Sequence, residues 1–415
     1  MRCIYKTCLY FFTILGCAGC ASQNSSVHRY AQAISQGKEM QRVSGEYIEI
    51  DTRKAEKMGL YDLYERVLSM DFLPLSSTEI IGELTGMHIY KDRIYILDRI
   101  TEKIFIFDRS GALIKAINGK GRGPKEYLGI RVITIDPFVD ELLVPDRLAA
   151  VTLHYDLEGN FLRKSARVTC EAIMALDTNL VLLSMGYGQS FDSQISYGLV
   201  SLKTDSVAVE YRAFPHNDLQ KKFAIPNSRD ILTKNVYGDI FYTPRASDTV
   251  YQILSDSTYR VRYGIKTSRS FWEAQPDAPF TSLDEYFDLM DDNGYSLYGG
   301  DLLESEEYLH FSLEMIDNRH YYFYDKRLHQ AYEKVVSSQD TTIMQQSRRI
   351  TVTPPNPIAL DGKRFVGSIE PGLVLGIQAM VKKDPSFYFH DPRFLKIVEN
   401  FEQDGNPVLV FYELK

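Results

Sequence analysis

Apolar and polar residues alternate along most of this chain in short runs that are separated by polar turns. Arg93–Asp98 and Lys103–Asp108 are examples, with side chains that change character at every second position. This period of two is typical of β-strands, and the runs are too short for ordinary helices. The pattern therefore predicts an all-β protein.

One stretch of the chain occurs twice. Arg93–Ile117 aligns with Glu141–Ser165 at a displacement of 48 residues. Several short strands per unit at this period are typical of β-propeller blades, whereas a non-repetitive β-sandwich is the alternative. The alignment places Asp98 on Asp146, Arg99 on Arg147, Asp108 on Asp156 and Gly111 on Gly159.

Weaker copies follow further along the chain. Asp239–Ile253 places Arg245 on Arg99, and Tyr308–Lys334 places Asp325 on Asp108. Copies spread over this length favour the propeller, because one blade cannot bury both faces of its sheet alone.

Two segments depart from the strand pattern. Ser282 and Glu285 form a capping box that predicts a short helix over Leu283–Met290. Asp391–Glu402 carries an N-cap, Asp391, followed by a proline and an apolar stripe, which predicts a second helix.

The last strand, Asn406–Leu414, is predicted to close the ring by pairing with a segment near the N-terminus. The candidate partners are Glu46–Asp51 and Ser69–Leu75.

The N-terminus is predicted to be a lipoprotein signal peptide over residues 1–19. It has a basic start and an apolar stretch that is too short to span a bilayer, and it leads to cysteine twice. We favour Cys20 as the lipid-attachment residue, with Cys17 as the alternative; ordinary secretory cleavage after Ala21 is the third possibility. Residues 20–41 are then a polar tether, and residues 42–415 form the propeller.

Charge and cysteine content bear on the partners. The chain has a net charge of −8, which becomes −10 when the leader and its two cations are removed. An acidic chain is a poor partner for nucleic acid, so the predicted membrane contact is the lipid rather than a basic patch. Cleavage before Cys20, whose sulfur carries the lipid, leaves Cys170 as the only free thiol, so no intrachain disulfide is predicted.

Several segments together resemble a known family, the six-bladed β-propeller lipoproteins of Gram-negative bacteria, which are related to NHL-repeat propellers. The resemblance implies an all-β, six-bladed propeller with short helical insertions, export and lipidation, but no particular reaction. The matching segments are Phe72–Leu75 with Ile81-Gly82, Arg93–Asp98, Lys103–Asp108 with Gly111, Gly121–Tyr127, Ser247–Tyr251 and Asn406–Val410. Gly121–Tyr127 resembles the family's GxGPGEY connector but has Lys125 where glycine is usual.

A search for catalytic and cofactor motifs identifies none. The glycines of Gly119–Gly123 lack the lysine and hydroxyl residue of a P-loop, and the histidines and cysteines lack zinc-site spacing. No cofactor, metal or catalytic residue is therefore predicted. We favour a binding or scaffolding module for a glycan, a peptide or an envelope protein, with a propeller hydrolase or lyase as the alternative.

One set of residues forms a candidate ligand face. Turns between the second and third strands of a blade emerge at the same end of a propeller as the connectors between blades. The alternative is that each arginine of this set, Arg99, Arg147 and Arg245, instead pairs with an aspartate of a neighbouring blade. The residues of this face are Arg99, Arg147, Arg245, Gly121, Gly123 and Tyr127.

The location is predicted to be the outer membrane, on its periplasmic side. The residues that follow Cys20 contain no early acidic cluster of the kind that accompanies surface export.

Overall fold

The computed structural model of the chain has short β-strands throughout, joined by tight turns. The residues that it describes are 38–165, 172–178, 180–184, 195–201, 209–215, 232–243, 247–255, 257–270, 283–315, 319–335, 343–346 and 348–415. The predicted leader, Cys17, Cys20, Cys170 and Arg245 lie outside these residues.

The first described segment consists of small elements. They are β1 (Lys38–Glu39), β2 (Gln41–Arg42), β3 (Ile48–Asp51), a 3-10 turn (Thr52–Lys54), β4 (Glu56–Met58), α1 (Leu60–Glu65) and β5 (Val67–Pro74).

Five antiparallel blades follow, with strands ordered from the inner to the outer edge. Blade 1 contains β6 (Leu84–Tyr90), β7 (Arg93–Asp98), β8 (Lys103–Asp108) and β9 (Leu113–Ile117), and blade 2 contains β10 (Thr134–Asp136), β11 (Glu141–Asp146), β12 (Val151–Asp156) and β13 (Phe161–Ser165). Blade 3 contains β14 (Ala172–Ala175), β15 (Leu180–Ser184), β16 (Ile195–Ser201) and β17 (Val209–Pro215), and blade 4 contains β18 (Leu232–Lys234), β19 (Ile240–Tyr242), β20 (Thr249–Ile253) and β21 (Thr258–Lys266).

Blade 5 differs in having a divided inner strand. After α2 (Leu283–Asn293) it contains β22 (Leu297–Tyr298) and β23 (Leu303–Glu304), which both pair with β24 (Tyr308–Glu314), followed by β25 (Arg319–Asp325) and β26 (Gln330–Lys334). The five blades confirm the predicted all-β propeller class, whereas they do not establish the predicted count of six.

The remaining elements form two further sheets and two helices. They are β27 (Ile343–Gln346), β28 (Arg349–Val352), β29 (Ala359–Asp361), β30 (Arg364–Ile369), α3 (Pro371–Lys383), β31 (Tyr388–Phe389), α4 (Pro392–Asn400) and β32 (Val408–Leu414). A four-stranded antiparallel sheet in the order β29-β30-β32-β5, here named the closing sheet, joins both ends of the described chain. A small sheet contains β27, β28 and β31.

Two predictions about the ends of the fold can be compared with these sheets. The last strand does pair with the Ser69–Leu75 region, since Val410 lies opposite Phe72. The other candidate, Glu46–Asp51, pairs in parallel with the outer strand of blade 4 instead.

Both predicted helices are present. The first, α2, covers Leu283–Asn293, and the second, α4, begins after Asp391, whose side chain accepts a hydrogen bond from the Arg393 N–H at 2.8 Å. The helix α3 was not predicted.

The N-terminal segment runs along the outer rim of the propeller. Strand β1 pairs in parallel with β17, β2 and β3 pair with β21, and β4 pairs with β26. The described end of the predicted tether, residues 38–41, is thus attached to blades 3 and 4. We name residues 38–58 the rim segment; it covers strand edges that would otherwise offer unpaired backbone groups.

Buried side chains fill the spaces between neighbouring sheets. Tyr95, Ile106, Val144 and Leu153 are examples between blades 1 and 2. Gly111 and Gly159 occupy equivalent turns with φ of +84° and +80°, which explains the repeated glycine.

Candidate functional site

Asp98 fixes the geometry of blade 1 at the end where its second strand turns into the third. The carboxylate is fully buried and accepts hydrogen bonds from the Gly82 and Glu83 N–H groups, at 2.7 and 3.1 Å, in the connector that enters the blade. It also accepts from the Ile100 N–H at 3.0 Å and the Thr101 hydroxyl at 2.8 Å in its own turn. Asp98 therefore ties a turn to a connector.

The pKa of Asp98 reflects these contacts. Burial acts to raise it, but the hydrogen bonds from Gly82 and Thr101 outweigh burial and hold the pKa below its ordinary value.

Asp146 repeats this arrangement in blade 2. Its carboxylate accepts from the Leu128 N–H at 2.7 Å and the Gly129 N–H at 3.3 Å in the connector, and from the Leu148 and Ala149 N–H groups, both at 3.0 Å, in the turn. In these two blades, turns and connectors therefore meet at one end of the propeller. We name this end the connector face.

The glycine connector lies on this face and is held by its own contacts. The Gly121 N–H donates to the Tyr127 carbonyl oxygen at 2.9 Å, and the Gly123 N–H donates to the Glu126 carboxylate at 2.6 Å. Tyr127 is fully buried, and its hydroxyl donates to the Glu102 carbonyl oxygen at 2.6 Å. These contacts position the connector against the turn of blade 1.

The predicted arginines have different surroundings. Arg99 is exposed and lies 3.6 Å from Glu83, a residue of its own blade's connector. Arg147 is half-buried and forms no ion pair with another described residue. Arg245 lies outside the described residues. The structure thus places Arg99 and Arg147 on the connector face, and neither forms an ion pair with a described aspartate of a neighbouring blade.

A cavity of about 590 Å³ runs along the axis between the inner strands. The inner strands β6, β10, β14, β18 and β23 pack in sequence order around it. Arg131 lines it at the connector face, and Lys234 lines it near the opposite end of β18. Both side chains are exposed, and neither forms an ion pair with another described residue.

Protein atoms nevertheless surround Lys234 on several sides. This partial burial lowers its pKa, and the negative charge of the Asp136 carboxylate acts in the opposite direction. An anionic ligand in the cavity would raise the pKa of Lys234 back toward its ordinary value.

Arg122, Arg131 and Lys234 were not among the site residues predicted from the sequence. Arg122 stands inside the Gly-Arg-Gly stretch of the connector, and this cation between glycines was a usable signal. Arg131 and Lys234 are 103 positions apart, so only the ring of blades brings them to one cavity.

The carboxylate that lines the cavity is already engaged. Asp301 accepts hydrogen bonds from the Ser312 N–H at 2.8 Å and from the Ser312 hydroxyl at 2.6 Å. Within the described part of the chain, no group of three or more histidine, cysteine or acidic side chains is arranged to hold a metal ion. No helix there has the length and apolar character needed to cross a membrane.

Comparisons with known proteins identify relatives of the chain. Residues 48–413 match a family model described as a domain of unknown function, DUF4934. No curated protein matches.

Solved structures with a similar fold include one described as an exported protein, from Bacteroides fragilis. It is 16% identical, the alignment covers 89% of this chain and 100% of that one, and the TM-score is 0.70. A member of the DUF4221 family from Bacteroides vulgatus has 9% identity, coverage of 84% and 97%, and a TM-score of 0.48. Virginiamycin B lyase from Staphylococcus aureus has 10% identity, coverage of 66% and 76%, and a TM-score of 0.35. We infer a shared propeller fold from the first of these, and nothing about chemistry from any.

Proposed function

This chain belongs to the DUF4934 family, and we propose that it is a binding propeller of the cell envelope whose ligand is acidic. The observation that carries the proposal is a set of three arginines on the connector face, none of which forms an ion pair with another described residue and one of which, Arg131, lines the cavity. They are Arg122, Arg131 and Arg147.

Two other cations of the same face are paired. Lys103 lies 2.6 Å from Glu79, and Arg99 lies 3.6 Å from Glu83. In a chain with a net charge of −8, cations left without such partners on one face form a local positive region. Such a region attracts anions and favours their binding over that of neutral molecules.

The ligand classes that fit are an acidic glycan, an acidic peptide or an acidic segment of an envelope protein. The alternative of a hydrolase or lyase gains no support from a specific contact among the described residues.

The test replaces Arg122, Arg131 and Arg147 together by glutamine in residues 21–415, purified without the leader. The probes are trigalacturonate and triglutamate, with maltotriose and trialanine as neutral molecules of similar size. We expect calorimetry to show binding of an acidic probe and a loss of affinity in the triple variant between about threefold and about 150-fold, since each solvent-accessible charge pair contributes roughly 0.2–1 kcal/mol.

The matched control replaces Arg99 and Lys103 by glutamine, because these cations lie on the same face but are already paired. Their loss should change affinity less than that of the three arginines. Equal binding of neutral and acidic probes, or equal losses in both variants, would contradict the proposal.

We further propose that the closing sheet is a sixth blade. Its strand β29 packs against β6 of blade 1 and lines the central cavity. Like blades 1 and 2, it consists of four antiparallel strands. In this proposal the ring closes by a sheet built from both ends of the described chain.

We also propose that the protein is a lipoprotein, attached through Cys20 to the periplasmic side of the outer membrane. The leader pattern and the relative described as exported support this location. Cys20→Ala should release the protein to the soluble fraction, because two acyl chains give stable attachment and their loss removes it. Membrane fractionation measures this, and release by Cys17→Ala but not by Cys20→Ala would move the site to Cys17.

A further inference from the structure

His310, on β24 of blade 5, is a buried histidine without a hydrogen-bond partner among the described residues. Its side chain is 1% exposed, and neither Nδ1 nor Nε2 has a partner within hydrogen-bond distance among the described residues. Buried polar groups are nearly always satisfied, and those that are not commonly contact a water molecule or a ligand. Burial lowers the pKa of this imidazole to about 4, so the ring is neutral at ordinary pH.

The ring lies directly behind the wall of the central cavity. His310 pairs with Leu303 of the neighbouring inner strand β23. The imidazole ring of His310 stacks on the ring of Tyr321, with 5.9 Å between the ring centroids. The Asp301 carboxylate is close enough to act on the charge of the ring. Asp301, Leu303 and Tyr321 all line the cavity.

The wall is interrupted at this point. The inner strand of blade 5 stops at Tyr298 and resumes at Leu303. Gly299 packs so tightly that a Cβ atom would lie 2.7 Å from the Ser312 hydroxyl, and Gly300 has φ of +76°. Irregular strands of this kind often occur next to binding sites, where they redirect side chains. The interruption lies opposite Phe311 and Ser312, the two residues that follow His310 on β24, because Tyr298 pairs with Leu313 and Leu303 pairs with His310.

We propose that His310 binds a hydroxyl group of a saccharide held in the central cavity, so that the acidic ligand is a glycan rather than a peptide. This inference rests on the proposed function and specifies its ligand.

The chemistry of the wall supports a saccharide. A neutral imidazole offers one donor and one acceptor, which is the pair that a hydroxyl group matches. Tyr321 supplies an aromatic ring in the cavity wall, against which the apolar face of a sugar can pack. The side-chain oxygen of Asn356, another lining residue, accepts from the Lys334 ammonium at 2.9 Å, which leaves its amide N–H groups as donors for hydroxyl oxygens. The carboxylates of an acidic sugar would meet Arg131 at the connector face.

The test compares His310→Leu and His310→Phe with the unchanged protein. Removing an unpartnered buried polar group should leave the midpoint of thermal unfolding unchanged or raise it. Affinity for trigalacturonate should fall at least tenfold, whereas affinity for triglutamate should not change. A residue that acts only in packing would not move stability and affinity in opposite directions. The two substitutions differ in size, so at least one should fit the site.

His320→Leu is the matched control. This histidine lies on the opposite face of blade 5, where its Nδ1 is 2.7 Å from Glu333. Its replacement should leave the affinity for trigalacturonate unchanged.

Four outcomes separate this inference from the function on which it rests. Unchanged trigalacturonate affinity in both His310 variants would show that the ring holds only a buried water molecule, and would overturn the inference. Binding of triglutamate alone would also overturn it, while the proposed function would stand. Binding of trigalacturonate and maltotriose with equal affinity, sensitive to His310 but not to the arginines, would support the inference and overturn the acidic-ligand function. Binding of none of the probes would overturn both.

Discussion

Asp98→Ala is expected to destabilise the propeller by about 4 kcal/mol, measured as the free energy of unfolding in urea. The substitution removes an acceptor for the N–H groups of Gly82, Glu83 and Ile100 and leaves them without a partner. Hydrogen bonds to a charged group contribute roughly 1.5–3 kcal/mol each, but their losses do not add fully in one network. We therefore expect a value well above that of an ordinary surface substitution.

Asp108→Ala is the matched control for this prediction. Asp108 accepts from the N–H groups of Ser110 and Ala112 at 2.8 and 3.0 Å, but it lies in an accessible turn, where water can replace the carboxylate. Its loss should cost clearly less. Equal destabilisation by both substitutions would show that burial of the Asp98 carboxylate is not what matters.

The pH dependence provides a second measurement. Because the folded-state pKa of Asp98 is lowered, its contribution to stability is present above the unfolded value of about 3.9 and is lost as pH falls through the folded value. The difference in unfolding free energy between the unchanged protein and Asp98→Ala should therefore shrink as pH is lowered below about 4.

The Asp98 arrangement shows how far the sequence predicts this fold. Asp98 and Asp146 recur at a fixed displacement because each satisfies the same set of backbone groups in its own blade, so local geometry is repeated in the sequence. The alternation of apolar and polar residues, the helix-capping residues and the turn glycines likewise determine structure within a few positions of the chain. Blades 1 and 2 and the helices α2 and α4 could be predicted for this reason.

Elements that depend on tertiary contacts could not be predicted. Helix α3 contains glycines and β-branched residues, so its sequence does not favour a helix; burial of Val374 and Ile377 in the core beside the closing sheet stabilises it. In the rim segment, β1 and β2 have two residues each and pair through the backbone, which leaves no apolar period in the sequence.

The candidate site was predicted only in part. Repetition identified Arg99 and Arg147, because each follows the aspartate that the two aligned units share, Asp98 or Asp146. The unpaired state of His310 has no counterpart in the sequence, since it depends on which groups surround the ring after folding.

Deletion of residues 406–415 is expected to prevent stable folding. Strand β32 pairs with β30 on one side and β5 on the other, and five of its consecutive side chains, Val408–Tyr412, are buried. Burial of one large apolar side chain contributes about 1.5–3 kcal/mol, so their loss removes roughly 10 kcal/mol, which is comparable to the total stability of a typical domain. The Asn406 side chain also accepts from the Ile81 N–H at 2.8 Å and so joins the C-terminal segment to the connector of blade 1.

Circular dichroism melting and size-exclusion chromatography measure the outcome, and a synthetic peptide of residues 406–415 added to the truncated chain should restore a cooperative transition. Deletion of residues 38–42 is the control, because β1 and β2 cover outer edges and do not link the two ends of the described chain. It should lower the melting temperature only modestly. A truncated chain that melts like the full one would show that the closing sheet does not hold the ring together, and would remove the support for a sixth blade.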